Sequence, residues 1–283
     1  MDSVALEKKI TAKIAQNGKA IVTSLLNESR LQDRSKVFVS PDCQQIKIVP
    51  SKDYDFSHYL ILQLENDLNV SILEHSLPDN EKYFKPLGTI ETYSATFFSL
   101  LEQTVEFYRQ MEIIDELCYV VDPEEITTKQ NYRVIKLDDR VYMKIKVNPL
   151  DPASVTTTFY GPTKRVEHYR KIYHEKLDDW NINDDIYRNF LRIFDLMAFP
   201  QKSSFNNCGM GELCSICYTY RFAGQIPIVS CDNDKCALNY HTTCLKTWFA
   251  TLRDTKVFLN MTSGRCPSCK EKLSTAFNDL LDE

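Results

Sequence analysis

The chain has 283 residues, 43% hydrophobic and 26% charged, with a formal net charge of −5. This is globular composition at a length suited to two or three domains, and without a long basic run it disfavours nonspecific nucleic-acid binding. The first residues lack a signal-peptide core and the best apolar run, YLILQL, is far below the ~20 residues that span a bilayer, so the expectation is a soluble intracellular protein whose ten cysteines do not form a disulfide framework.

In chain order, Leu6, Ile10 and Ile14 at four-residue spacing predict a helix over 4–28. Short runs rich in branched residues follow at 36–40, 45–49, 59–65 and 68–74, separated by turn residues. They predict an antiparallel meander. A long helix is expected over 90–116, with Tyr93, Phe97, Leu100, Leu101, Tyr108 and Met111 on one stripe. The pattern then restarts. YRVIKL and VYMKIKV flank Asp138-Asp139, and Val141, Met143, Ile145 and Val147 alternate with Tyr142, Lys144 and Lys146. That period of two predicts a sheet with one face buried and one wet. SVTTTFYG is a further strand and KRVEHYRKIYHEKL a polar helix. NDDIYRNFLRIFDLM is an amphipathic helix with Ile186, Phe190, Ile193, Phe194 and Met197 as its buried stripe and Asn183 as its N-cap. The residues therefore predict an α+β chain. A first unit covers 1–103, a second 104–205, and a third domain 206–283 follows a linker at 199–212.

The third domain carries the chemistry. Cys214-x2-Cys217, Cys231-x4-Cys236, His241-x2-Cys244 and Cys266-x2-Cys269 are four donor pairs. A short spacer puts two donors on one tight turn, so each pair is half of a tetrahedral site, and eight donors make two structural Zn²⁺ sites closed to substrate. A reactive-thiol enzyme needs one activated cysteine with a base instead. Cys208 reads as a free linker thiol, Cys43 and Cys118 as core, and His58, His75, His168 and His174 as ordinary packing or surface. Only seven glycines occur, and G-x-G-x-x-G, G-x-x-x-x-G-K-[ST] and G-x-S-x-G are absent, so neither a phosphate-wrapping loop nor a nucleophile elbow is expected.

Four cysteines, a histidine and three cysteines is an order shared by PHD-type fingers, which read histone tails, and RING-type fingers, which recruit ubiquitin-conjugating enzymes (E2s). PHD fingers carry a Trp two residues before the seventh ligand, where this chain has Gly264. Here Trp248 lies four after the sixth ligand, Ile216 sits inside the first pair and Pro267 inside the last. That is the RING pattern. The finger, together with LLEQTVEFYRQMEIIDELCYVVDPE, VYMKIKVNPLDP and FLRIFDLMAFP, resembles the Fanconi anaemia group L family of RING-type E3 ubiquitin ligases.

The resemblance implies two tandem RWD units, the ubiquitin-conjugating-enzyme-like fold, followed by a cross-brace finger. Cys214, Cys217, His241 and Cys244 would hold one zinc, and Cys231, Cys236, Cys266 and Cys269 the other. Ile216, Trp248 and Pro267 would form the E2-binding groove, flanked by Tyr218, Ser268 and Lys270, with Lys270 where many RINGs keep a cation between enzyme and ubiquitin. No catalytic residue and no further cofactor is implied. No His-Pro-Asn occurs, so the RWD units are not themselves conjugating enzymes. The implied function is monoubiquitination of the Fanconi D2 and I pair in DNA crosslink repair. Implied partners are an E2, those substrates and other core-complex subunits, without direct contact to nucleic acid or membrane, in nucleus and cytoplasm. Vertebrate members carry a further N-terminal domain that binds ubiquitin-like partners; this chain is expected to be too short for it. The alternative is a PHD-like chromatin reader or a scaffold whose finger only binds.

Overall fold

The computed structural model describes residues 34–51, 57–64, 70–78, 83–84, 88–201, 213–258 and 261–276. The helix expected over 4–28 and the linker thiol Cys208 lie outside them. The chain divides into two compact units, one of residues 1–108 with 127–131 and one of 109–126 with 132–283.

In the first unit, strands β1 (Ser35–Val39), β2 (Gln45–Pro50), β3 (Leu60–Leu64) and β4 (Val70–His75) form an antiparallel meander in sequence order. Alternation puts Ile46, Ile48, Leu60 and Leu62 on its buried face. Helix α1 (Ile90–Gln103) closes that face with Tyr93, Phe97, Leu100 and Leu101. Its start is a capping box: the Thr89 hydroxyl accepts from the Thr92 N–H at 3.2 Å, and the Thr92 hydroxyl accepts from the Thr89 N–H at 2.7 Å. The long helix expected over 90–116 is two, because α1 ends at Gln103 and α2 (Val105–Leu117) begins after Thr104. Buried Thr104 turns its hydroxyl back to the Leu100 and Leu101 carbonyls, at 2.9 and 3.3 Å. Such back-bonding competes with the helical ladder and bends it.

The second unit repeats the order. Strands β5 (Val120–Asp122), β6 (Tyr132–Asp138), β7 (Val141–Asn148) and β8 (Asp151–Tyr160) are again an antiparallel meander, followed by α3 (Thr163–Glu175) and α4 (Ile186–Phe194). Val141, Met143, Ile145 and Val147 are buried as expected. Arg133 is buried with them, and its guanidinium forks onto Asp115 of α2 at 2.6 and 2.8 Å. Phe159, Tyr173, Phe190 and Phe194 join edge-on or stacked beneath α4.

Three local expectations are corrected. Met197 is 99% exposed, because α4 stops at Asp195, whose backbone is left-handed at φ 53°. The N-cap is Asp185, whose carboxylate accepts from the Arg188 N–H at 2.7 Å, while Asn183 sits in a preceding turn held by Asn181. The outer face of the second sheet is not wholly wet: Tyr142 is buried there, in a cluster with Val121, Val134 and Ile226. Ile226 belongs to the cysteine-rich segment, which thus covers part of this sheet. No helix among the described residues is long and apolar enough to cross a membrane.

Candidate metal centres

The cysteine-rich segment has little regular structure: a two-residue ladder of β9 (Val229–Ser230) with β10 (Asn239–Tyr240), helix α5 (Thr242–Thr251), and a small sheet of β11 (Lys256–Phe258), β12 (Met261–Arg265) and β13 (Lys272–Ala276). What organises it is a set of turns. Tyr218 N–H reaches the Cys214 carbonyl at 2.7 Å, and Lys270 N–H reaches the Cys266 carbonyl at 3.2 Å. In both loops the residue after the second cysteine is left-handed, Tyr218 at φ 60° and Lys270 at φ 64°. The two Cys-x-x-Cys pairs are therefore the same knuckle, with both thiols turned to one side.

The donors gather into two groups. Cys214, Cys217, His241 and Cys244 form one, and Cys231, Cys236, Cys266 and Cys269 the other, with the ligand atoms of each within 4.8 Å of one another. The pairs interleave along the chain: the first joins the third and the second joins the fourth. His241 turns Nδ1 to its group, 3.3 Å from the Cys217 thiol and 3.8 Å from that of Cys244. Its Nε2 lies 3.1 Å from the Tyr220 carbonyl. A carbonyl only accepts, so the proton is on Nε2 and Nδ1 keeps its lone pair for a metal. In the other group the buried Tyr240 hydroxyl lies 3.0 Å from the Cys266 thiol.

The thiols of each group are not alike in acidity. Burial resists ionisation of Cys217, but hydrogen bonds from the Thr219 hydroxyl and backbone outweigh it and hold the thiol at about 6. Burial likewise opposes Cys266, and hydrogen bonds led by the Tyr240 hydroxyl bring it to about 7. Their neighbours go the other way. Burial and the adjacent thiolates push Cys244 up to about 12 and raise Cys231 and Cys236 as well. One thiolate per cluster is easily formed, while Cys244, Cys231 and Cys236 are held protonated unless a cation offsets the charge. A divalent metal does so, and thiolates with imidazole are the donor set that suits zinc. With four protein donors the shell is closed, so the residues fit a structural ion that binds no substrate.

Around the clusters is a small core of Val229, Tyr240, Leu245, Phe249 and Leu273. Ile216 and Trp248 lie half-buried against it. Trp248 Nε1 donates to the Arg265 carbonyl at 2.8 Å. The Lys270 ammonium lies 5.3 Å from the centre of the Trp248 ring and donates to the Pro267 carbonyl at 2.6 Å. Trp248, Lys270 and Pro267 are thus one connected rim, with Ser268 exposed on it and Tyr218 exposed on the other knuckle. At Gly264 a Cβ would meet the Phe249 ring at 2.8 Å, and that ring is buried. No tryptophan fits there. Sequence reasoning missed Tyr220, whose carbonyl orients His241, and Tyr240; nothing in the ligand spacing marks either. Of the other cysteines, Cys118 is buried and its thiol pushed up to about 12, chiefly by burial; Cys43 packs partly buried against the first core.

Two family models match this chain: FANCL UBC-like domain 3 over residues 106–202 and FANCL C-terminal domain over residues 212–278. The chain is 38% identical over 260 residues to the E3 ubiquitin-protein ligase Fancl of Drosophila melanogaster, covering 87% of this chain and 67% of that one. The chain belongs to the FANCL family. To the mouse E3 ubiquitin-protein ligase FANCL it is 26% identical over 208 residues, 72% of this chain and 54% of the mouse protein. A crystal structure of FANCL superposes with a TM-score of 0.71 at 38% identity, covering 89% of this chain and 69% of that one. The repeated meander–helix units are thus the UBC-like fold of a FANCL protein, and the interleaved clusters belong to its RING-type finger. The family is one of RING-type E3 ubiquitin ligases.

Proposed function

We propose that this FANCL-family ligase holds two structural zinc ions in its interleaved clusters and recruits a ubiquitin-charged E2 on the surface of Ile216, Tyr218, Trp248, Pro267, Ser268 and Lys270. The finger supplies no nucleophile, acid or base. It holds the enzyme so that the ubiquitin thioester keeps a reactive arrangement, and an acceptor lysine attacks it directly; this is catalysis by positioning. The observation that carries the reading is the Trp248 rim: a half-buried indole beside the last Cys-Pro-Ser-Cys knuckle, capped by the Lys270 ammonium. Gly264 packed on Phe249 argues against the PHD-like alternative, which needs a tryptophan at that position.

The finer reading rests on family membership. The substrate is the Fanconi D2 and I pair, monoubiquitinated in DNA crosslink repair. The RWD region holds that pair and docks with other core-complex subunits, and the protein works in nucleus and cytoplasm. The test is discharge of charged E2s to free lysine across a panel of E2s. At least one is expected to be accelerated by the zinc-loaded chain. Acceleration of none would overturn the ligase reading and leave the scaffold alternative.

A further inference from the structure

The finger is joined to the outer face of the second sheet by contacts that metal binding does not require. Arg221 directs its guanidinium onto the β5 segment, with Nη2 donating to the Val121 carbonyl at 2.7 Å, Nε 2.9 Å from the Glu124 carboxylate and Nη1 3.4 Å from that of Asp122. Arg221 and Asp122 are only about a fifth exposed, at 21% and 20%. Five residues on, Ile226 packs with Val121, Val134 and Tyr142, supported by Ile228 and Tyr220. Asp232 then reaches the start of α3, its carboxylate accepting from the Thr163 N–H at 2.6 Å and the Thr163 hydroxyl at 3.0 Å. Helix α3 begins after Pro162, which offers no side-chain cap. The finger therefore caps a helix of the neighbouring domain.

The outer two of these contacts adjoin the metal clusters. Arg221 follows Tyr220, whose carbonyl orients His241, and Asp232 follows Cys231 of the second cluster. Each cluster is thus tied through one chain position to the sheet domain. A single contact would leave a hinge. Three contacts, spread over three sheet strands and a helix terminus, oppose rotation about any one of them.

We propose that Arg221, with Asp232, is a positioning residue. It holds the finger at a fixed angle to the second UBC-like domain, so that the recruited E2 presents its thioester to one region of a substrate held by that domain. This rests on the ligase reading above. Effective catalysis by orientation is sensitive to small displacements, and a misplacement of about 1 Å can cost on the order of a hundredfold. The hydrogen bond and ion pairs of Arg221 go to Val121, Asp122 and Glu124 and not to the residues assigned to E2 recruitment, so its loss acts on where ubiquitin is delivered and not on whether the thioester is activated.

The test compares the full chain with Arg221→Glu and with Arg221→Glu combined with Glu124→Arg. Three readouts are taken: zinc content, E2 discharge to free lysine, and steady-state modification of the D2/I pair with the modified lysines mapped. Arg221→Glu is expected to keep two zinc ions and wild-type discharge. Its kcat for the substrate should fall about tenfold or more at unchanged KM, or modification should spread to further lysines, and the double variant should recover part of the loss. Amide exchange should show lost protection at 120–122 and 226–230 in the single variant and its return in the double. If Arg221→Glu loses zinc, Asp232→Asn replaces it, with the same expectations. Unchanged protection together with unchanged substrate modification would overturn the proposal, and so would a parallel fall in free-lysine discharge. A wild-type chain that discharges no E2 refutes the ligase reading instead, and the exchange experiment still decides whether Arg221 fixes the finger.

Discussion

The finger and the second UBC-like domain lie in one compact unit, yet different physics holds each. The sheet domain buries Val141, Met143, Ile145 and Val147 against the aromatic cluster of Phe159, Phe190 and Phe194. Its fold follows from period-two and helical patterning, and apolar burial stabilises it at about 25 cal/mol per Å². The finger has a core of a few side chains around two thiol-rich clusters. Its strands are two to five residues long. Burial pushes the thiols of Cys231, Cys236 and Cys244 towards their neutral form, which a cation would offset. One region is organised by what it excludes from water, the other by what it is built to bind.

Metal removal separates the two most sharply. Structural zinc contributes ~10–16 kcal/mol per site to folding, so two sites together exceed a small domain's net stability of about 5–15 kcal/mol. Elemental analysis should give two zinc per chain, and Cys231→Ser should leave at most one. A strong chelator should abolish the protection of 213–276 in amide exchange while that of β6 to β8 persists. One zinc per wild-type chain would break the two-cluster assignment. Collapse of the sheet domain on chelation would break the contrast itself.

The complementary lesion lies in the apolar core. Phe190→Ala removes a fully buried ring in contact with Trp180, Tyr173 and Phe194. Truncations of this kind cost about 3–5 kcal/mol. Denaturant unfolding should show that loss in the sheet domain with zinc content unchanged. Retention of wild-type stability would mean that the cluster is loosely packed.

A third variant asks whether the finger's exposed rim is separable from its fold. Trp248→Ala removes a half-buried ring and its bond to the Arg265 carbonyl, while both clusters keep their donors. A central aromatic in a small interface contributes about 2 kcal/mol or more, so binding to a charged E2 should weaken about thirtyfold or beyond. The zinc should stay. If zinc is lost as well, Trp248 is a core residue of the finger; if binding is unaffected, the groove lies elsewhere.

What was legible in the sequence follows the same division. The eight donors are written locally, in spacings of two to four residues, and could be read directly. The strands of the first meander and β6 to β8 of the second were readable because alternation is also local; the three-residue β5 was not. The face that Ile226 covers was not: Tyr142 alternates with lysines and reads as wet, and only a segment some eighty residues later makes it buried. Arg221, Tyr220 and Tyr240 were missed for the same reason, since each acts on a partner that is close only in the fold. The helix ends were misplaced by a residue or two where competing acceptors stand side by side, as Asn183 and Asp185 do before α4.

Acid should distinguish metal-built from apolar-built structure by a smaller effect, carried in the first unit by His58. This histidine is buried, its Nδ1 3.2 Å from the Ser76 hydroxyl and its ring 4.9 Å from that of Tyr108. Burial lowers its pKa to about 4 from an ordinary 6.5. Between those values the unfolded chain binds a proton that the folded chain refuses, so stability rises with pH across this window and is lost as pH falls from about 6.5 towards 4. The expected loss is about 1 kcal/mol, a few degrees in Tm, after discounting for solvent screening. The finger should respond to acid by another route, because acid competes with a bound metal for its donors and releases it. Chelated protein should therefore keep the acid dependence of the first unit while losing that of the finger. His58→Gln, which keeps a polar group near Ser76, should flatten the remaining slope. A slope that survives His58→Gln assigns the acid sensitivity to another group, and one that disappears with the metal assigns it to the finger.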